Sequence, residues 1–175
     1  MAKKSDSKDD GKDASAPAAV EAAVEAPPGI AININAQYIK DLSFEAPAAP
    51  GIFSTLQGSP PDIKVNINVN VNRVQDKTFE VVLEMQAECI AKEQNAFILE
   101  LQYAGLFTLN VPDEHLQAIL LIECPRLLFP FARNILADVT RNGGVPPLFL
   151  GVVDFAGMYQ AKLNEMQQAA GAAKA

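Results

Sequence analysis

From Ile63 to Asn72 every second residue is aliphatic. Ile63, Val65, Ile67, Val69 and Val71 alternate with Lys64, Asn66, Asn68, Asn70 and Asn72. A repeat of two sends successive side chains to opposite faces of an extended chain, whereas a helix would scatter them around its axis. The segment is therefore a strand with one apolar face and one amide-rich face. A strand of that kind needs partner strands at its edges and a cover over its apolar side.

The same period recurs three times. Phe79, Val81, Leu83, Met85 and Ala87 oppose Glu80, Glu84, Gln86 and Glu88. Phe97, Leu99, Leu101 and Tyr103 oppose Ile98, Glu100 and Gln102. Upstream, Ile30, Ile32 and Ile34 alternate with Ala31, Asn33 and Asn35, and the same parity carries Asp41, Ser43 and Glu45 onto the asparagine side. Gln75-Asp76-Lys77 and Lys92-Glu93-Gln94-Asn95 read as the turns between the last three strands. A Pro- and Gly-rich crossover from Pro47 to Pro61, carrying Ile52, Phe53 and Leu56, joins the first strand to the second. Short turns make an antiparallel meander with one packed face and one wet face.

The last third changes period. Pro112-Asp113 is a helix start, with Leu116, Ile119 and Leu120 on one side. Cys124-Pro125 is expected to interrupt that helix, because proline has no N–H to donate. A second helix from about Pro125 carries Leu128, Phe131, Ile135 and Val139 and ends at Gly143-Gly144. Val145–Val153 is an extended apolar segment containing Pro146-Pro147. The final helix, about Asp154–Ala169, starts on Asp154 as N-cap and carries Phe155, Met158, Tyr159, Leu163 and Met166. The fold class is α+β, a four-stranded antiparallel sheet with helices packed on one face.

The chain has 175 residues, enough for one domain with a true core. Residues 1–28 are rich in Lys, Asp, Ser, Ala and Pro, and are expected to be a disordered tail before a domain spanning 29–169; residues 170–175 read as a second flexible tail. A net charge of -7 argues against nucleic acid and anionic membrane surfaces as partners and fits a partner carrying positive charge. Met1–Asp13 has no apolar core of the kind a secretory signal needs. No apolar run approaches the roughly 20 residues that span a bilayer as a helix. Four alternating strands are too few for an outer-membrane barrel. The cytoplasm is the expected location, with no direct membrane insertion. There Cys89 and Cys124, without CxxC spacing, are expected to be reduced and buried, with a disulfide or a reactive thiol as alternatives.

Catalytic chemistry needs a constellation of groups, and none is visible. His115 is the sole histidine and sits at a helix start. There is no GxSxG turn, no phosphate-binding glycine loop and no clustered metal-ligand set, so neither catalysis nor a cofactor or metal is expected. Six carboxylates, Asp41, Glu45, Glu80, Glu84, Glu88 and Glu100, share the wet parity. Two at i and i+4 on a strand, such as Glu80 and Glu84, lie about 13 Å apart, too far for a glycosidase pair. The face they form is either a solvated surface or a docking face for a basic partner.

Lys40-Asp41-Leu42-Ser43-Phe44-Glu45-Ala46-Pro47, Cys124-Pro125-Arg126-Leu127-Leu128-Phe129-Pro130-Phe131-Ala132-Arg133, and Pro146-Pro147-Leu148 with Val153-Asp154-Phe155 are three stretches that resemble the SecB family of bacterial protein-export chaperones. Gly105-Leu106-Phe107 fits the end of the family's fourth strand, and the matches run in the family's order over Ile30–Gln168. The resemblance implies a SecB-like homotetramer, a dimer of dimers, that holds unfolded preproteins without ATP and passes them to the motor ATPase SecA. It implies SecA docking at Asp41, Glu45, Ile98 and Glu100, and a role for Leu99, Leu101 and Tyr103 in assembly. A promiscuous holdase needs adaptable apolar surface, for which Phe53, Leu56, Leu148, Leu150, Met158 and Tyr159 are the candidates. The chain departs from the pattern in its long N-terminal extension, its lack of tryptophan, Leu99 where a cysteine can occur, and Tyr103-Ala104 in place of Gln-Gly. A SecB-like chaperone that controls a toxin–antitoxin pair, or a general holdase, is the main rival reading.

Overall fold

The computed structural model describes residues 31–58 and 60–172. Ile30, the expected N-terminal tail and residues 173–175 lie outside the described residues. Four strands, β1 (Ala31–Glu45), β2 (Asp62–Gln75), β3 (Thr78–Ala91) and β4 (Gln94–Asn110), form one antiparallel sheet in the order β1-β4-β3-β2. β2, β3 and β4 are the expected meander. The long crossover carries the chain from β1 to β2 at the opposite edge, and β4 returns to pair with β1, which gives the Greek-key order.

Both meander turns are two residues long. Lys77 has φ 57°, and Lys92 and Glu93 have φ 47° and 65°. Positive φ at both central residues is the geometry that matches strand twist in a tight hairpin, though Lys-Glu is far from the usual Asn-Gly. The crossover is not merely a loop. It holds a short helix, α1 (Ile52–Gly58), whose Ile52 is buried in the core.

The inner faces of β3 and β4 carry the core. Val81, Leu83, Met85, Leu99, Leu101 and Phe107 are each no more than 2% exposed. Each such aliphatic or aromatic side chain contributes about 1.5–3 kcal/mol on burial. The cover is a long helical rod: α2 (Asp113–Ala118), a five-residue π turn (Ile119–Glu123) and α3 (Cys124–Asn142). Here the structure differs from the expected break at Cys124-Pro125. The wider π turn directly precedes Pro125, and the chain stays helical through it. Pro125 has no N–H to donate within this continuous helix, and the wider turn just before it accommodates the loss.

α3 approaches β4 closely at Gly105. A Cβ there would lie 2.7 Å from Leu128 Cδ2 and 2.6 Å from Phe107 Cε2, so only glycine permits the contact. After Gly143 and Gly144 the chain runs back along α3. The Leu148 N–H donates to Thr140 Oγ1 at 2.9 Å, and Arg133 Nη1 donates to the Leu150 carbonyl at 3.4 Å. Thr140, fully buried, is satisfied by donating to the Leu136 carbonyl. α4 (Phe155–Ala172) follows, and Asp154 accepts from the Gly157 N–H at 2.9 Å as the sequence predicts for an N-cap.

Candidate functional site

Among the described residues no helix lies on the outer face of the sheet, and its side chains stand in cross-strand rows. One row is Lys64–Glu88–Ile98–Glu45, the next Asn66–Gln86–Glu100–Ser43, and the third Asn68–Glu84–Gln102–Asp41. The four sequence-predicted docking residues therefore fall in three adjacent rows on the neighbouring strands β1 and β4. Asp41, Glu45 and Glu100 are exposed and Ile98 is half-buried. Gln86 donates to Glu100 at 3.0 Å and Asn68 to Glu84 at 3.1 Å. A shallow depression of 290 Å³ opens among Asp41, Glu84, Glu100 and the amides around them.

The parity that places Asp41 and Glu45 outward is kept by an unexpected route. The register of β1 against β4 shifts between Ile34 and Ala36 and again between Ile39 and Asp41. Each bulge inserts one residue, Asn35 and then Lys40, and each reverses the alternation. The two reversals cancel. Between them Gln37 turns inward, where it accepts a hydrogen bond from Tyr103 Oη at 3.3 Å, and Tyr38 turns outward.

Glu80, the sixth carboxylate of the wet parity, does not act like the others. Lys40 Nζ lies 2.8 and 3.0 Å from its two oxygens, Tyr38 Oη donates at 2.5 Å and Asn72 Nδ2 at 3.0 Å. Lys40 above all, then Tyr38 and Asn72, holds this carboxyl down at about 2 from its usual 4.5. Its charge is spent within the protein, and the acid without an ion-pair partner among the described residues lies at the other end of the sheet.

The groove candidates are all half-buried, at the rim of the core. Met158 and Tyr159 share a 40 Å³ cavity with Val69, Leu121 and Phe155. Phe53, on α1, lies beside Gly144 at the start of the extended segment that carries Leu148 and Leu150. The structure brings Met158 and Tyr159 together but leaves the other four along a separate stretch of the same helical side. Sequence reasoning missed a larger cavity of 530 Å³ between α3 and the segment entering α4, lined by Arg126, Phe129, Arg133, Val152 and Phe155. It also missed Phe149 and Val152 as exposed apolar groups, at 73% and 97%. The signal was the apolar run after Pro146-Pro147, which has no polar alternation.

The assembly residues divide. Leu99 and Leu101 lie in the protomer's own core, 0% and 1% exposed, so any effect on assembly passes through packing. Tyr103 is at the edge of that core, stacked on Phe131 with ring centroids 6.5 Å apart. Beyond it the middle of the inner face of β1 is exposed, between the half-buried Ile32 and Phe44: Ile34, Ile39 and Leu42 are 41%, 47% and 38% exposed, and Phe131 is 51% exposed.

The two cysteines are free and buried. Burial pushes the Cys124 thiol up to about 12, far from a reactive thiolate. His115 is exposed beside Glu114. Among the described residues no cluster of three or more His, Cys, Asp or Glu is placed to hold a metal, and no helix is long and apolar enough to cross a membrane.

Rows of uncompensated acid on one face, and apolar rims and an unfinished strand face on the other, define a protein built to present binding surfaces. Comparison with known proteins gives the particular family. A family profile described as preprotein translocase subunit SecB matches residues 25–166. The protein-export protein SecB of Paramagnetospirillum magneticum is 53% identical over 142 residues, covering 81% of this chain and 92% of that protein. The protein-export protein SecB of Rhodospirillum rubrum is 51% identical over 142 residues, covering 81% and 88%. Among solved structures, a SecB-like chaperone of Mycobacterium tuberculosis in complex with a ChAD peptide from the HigA1 antitoxin matches with TM-score 0.59 and 17% identity, covering 70% of this chain and 91% of that one, a likeness of fold. The chain belongs to the SecB family of protein-export chaperones.

Proposed function

We propose that the protein is an ATP-independent holdase of the cytoplasm that binds unfolded preproteins along its apolar rims and delivers them to SecA through the outer face of the sheet. A holdase shifts a client's folding equilibrium by binding the unfolded state in preference to the native one. Half-buried, adaptable side chains such as Phe53, Leu56, Leu148, Leu150, Met158 and Tyr159 suit clients of many sequences. The observation that carries the docking reading is the contiguity of Asp41, Glu45, Ile98 and Glu100 on a face that no helix among the described residues covers.

The domain spanning 29–169 assembles as a homotetramer, a dimer of dimers. The uncovered inner face of β1, with Ile34, Ile39 and Leu42, supports a second copy as its cover. Tyr103 contributes at that edge, and Leu99 and Leu101 act through the packing of the core.

The test is aggregation suppression of an unfolded preprotein without nucleotide, joined to a pull-down of bound preproteins and SecA from cell extract. Suppression with co-purified SecA is expected. Absence of both would overturn the reading, and recovery of an antitoxin in place of preproteins would favour the rival chaperone role.

A further inference from the structure

We propose that Lys40 is a positioning residue for docking: its clasp on Glu80 holds the bulge that aims Asp41 at the partner. The inference rests on the SecA-docking reading above and deepens it.

Lys40 has no cross-strand partner. Ile39 pairs with Tyr103 and Asp41 with Gln102, so Lys40 is the inserted residue. Without that insertion the alternation running through Tyr38 and Ile39 would continue. Asp41, Ser43 and Glu45 would then face the apolar side, and Leu42 and Phe44 would face water. The bulge is thus what joins the acidic end of β1 to Glu100 on β4.

β1 is an edge strand, held by hydrogen bonds on one side only. Its bulge is secured instead across the outer face. Lys40 reaches both oxygens of Glu80 on β3, at 2.8 and 3.0 Å, and Tyr38 reaches Oε1 of the same carboxylate at 2.5 Å. Tyr38 and Lys40 flank Ile39 in sequence, so β1 is gripped on both sides of the residue that precedes the insertion. Asn72 of β2 holds the carboxylate from the far side at 3.0 Å. Glu80 is the less exposed member of the ion pair, at 13% against 41% for Lys40. The rigid centre of the sheet therefore anchors the edge.

This role makes a prediction opposite in sign to simple electrostatics. Lys40→Met removes a positive charge from an acidic face and releases Glu80. For a partner that brings basic side chains, charge alone calls for tighter binding. Loss of the clasp calls for weaker binding, because Asp41 is no longer held.

The experiment is calorimetric titration of purified SecA, and separately of an unfolded preprotein, into the full chain and its Lys40→Met, Lys40→Arg, Tyr38→Phe and Glu100→Lys variants. Expected are a SecA affinity lowered about three- to tenfold in Lys40→Met, recovery toward wild type in Lys40→Arg, and unchanged preprotein affinity. Tyr38→Phe alters no charge and is expected to lower SecA affinity by a smaller factor, which keeps the test alive if Lys40→Met folds poorly. Equal or tighter SecA binding by Lys40→Met, or loss of preprotein binding alongside, overturns the inference. If Glu100→Lys weakens SecA binding while the Lys40 and Tyr38 variants do not, only the clasp fails. If Glu100→Lys also leaves SecA binding unchanged, the docking reading fails and the clasp with it.

Discussion

Leu99 and Glu100 are neighbours in the chain and serve opposite sides of one sheet. Leu99 is fully buried in the core; Glu100 is exposed in a row with Gln86 and Ser43. The inner face over β3 and β4 is closed by helices. The outer face is left open with more acid than base, Lys40 being committed to Glu80 and Lys64 standing beside Glu88. A sheet whose strands alternate strictly can hold a fold with one parity and bind with the other. Substitutions one residue apart should therefore break different properties.

The largest effect is expected on the closed face. Leu99→Ala should lower stability by about 2–5 kcal/mol through lost burial and an unfilled cavity. Urea unfolding measures it, and a loss below about 1 kcal/mol would contradict the place of Leu99 in the core. A smaller energetic effect, with a larger change in mass, is expected where the inner face is open. Leu42→Glu should leave protomer stability within about 1 kcal/mol of wild type and reduce the assembled mass seen by light scattering. An unaltered mass would show that the open face of β1 is not an interface.

Modest too, and set by pH, is the contribution of the clasp on the outer face. The Glu80 carboxyl sits at about 2 when folded against an ordinary 4.5, so it favours the folded state above pH 4.5, and that contribution disappears as pH falls toward 2. Glu80→Gln should thus be less stable than wild type at pH 7 by about 1 kcal/mol, and the gap should close on acidification through that window. Parallel acid titrations followed by circular dichroism check this. A gap that persists at pH 2 would contradict the ionic origin of the effect.

Much of this division can be read from alternation alone. The rows of β2, β3 and β4 follow from Ile63–Asn72, Phe79–Glu88 and Phe97–Tyr103, because a half-buried strand leaves a period of two in the residues themselves. β1 was legible only at its ends. Gln37-Tyr38 is a polar–aromatic pair that fits either face, and the two bulges emerge only when β1 is set against β4. The π turn before Cys124-Pro125 was hidden because proline marks a lost hydrogen bond without saying how the backbone accommodates it. α1 was hidden by the prolines and glycines around Ile52, which mark turns more strongly than a seven-residue helix marks itself. Nor could periodicity separate the covered inner face from the uncovered one. Ile34 and Ile39 are as apolar as Leu83, and their exposure depends on where α3 lies.

On the proposed function, the open face docks SecA independently of client binding. Its direct measurement is calorimetry of Glu100→Lys against SecA and against an unfolded preprotein. SecA affinity should fall about tenfold, roughly 1.4 kcal/mol, with preprotein affinity and the unfolding midpoint unchanged. Unchanged affinity for SecA, or an equal loss for both ligands, would contradict it.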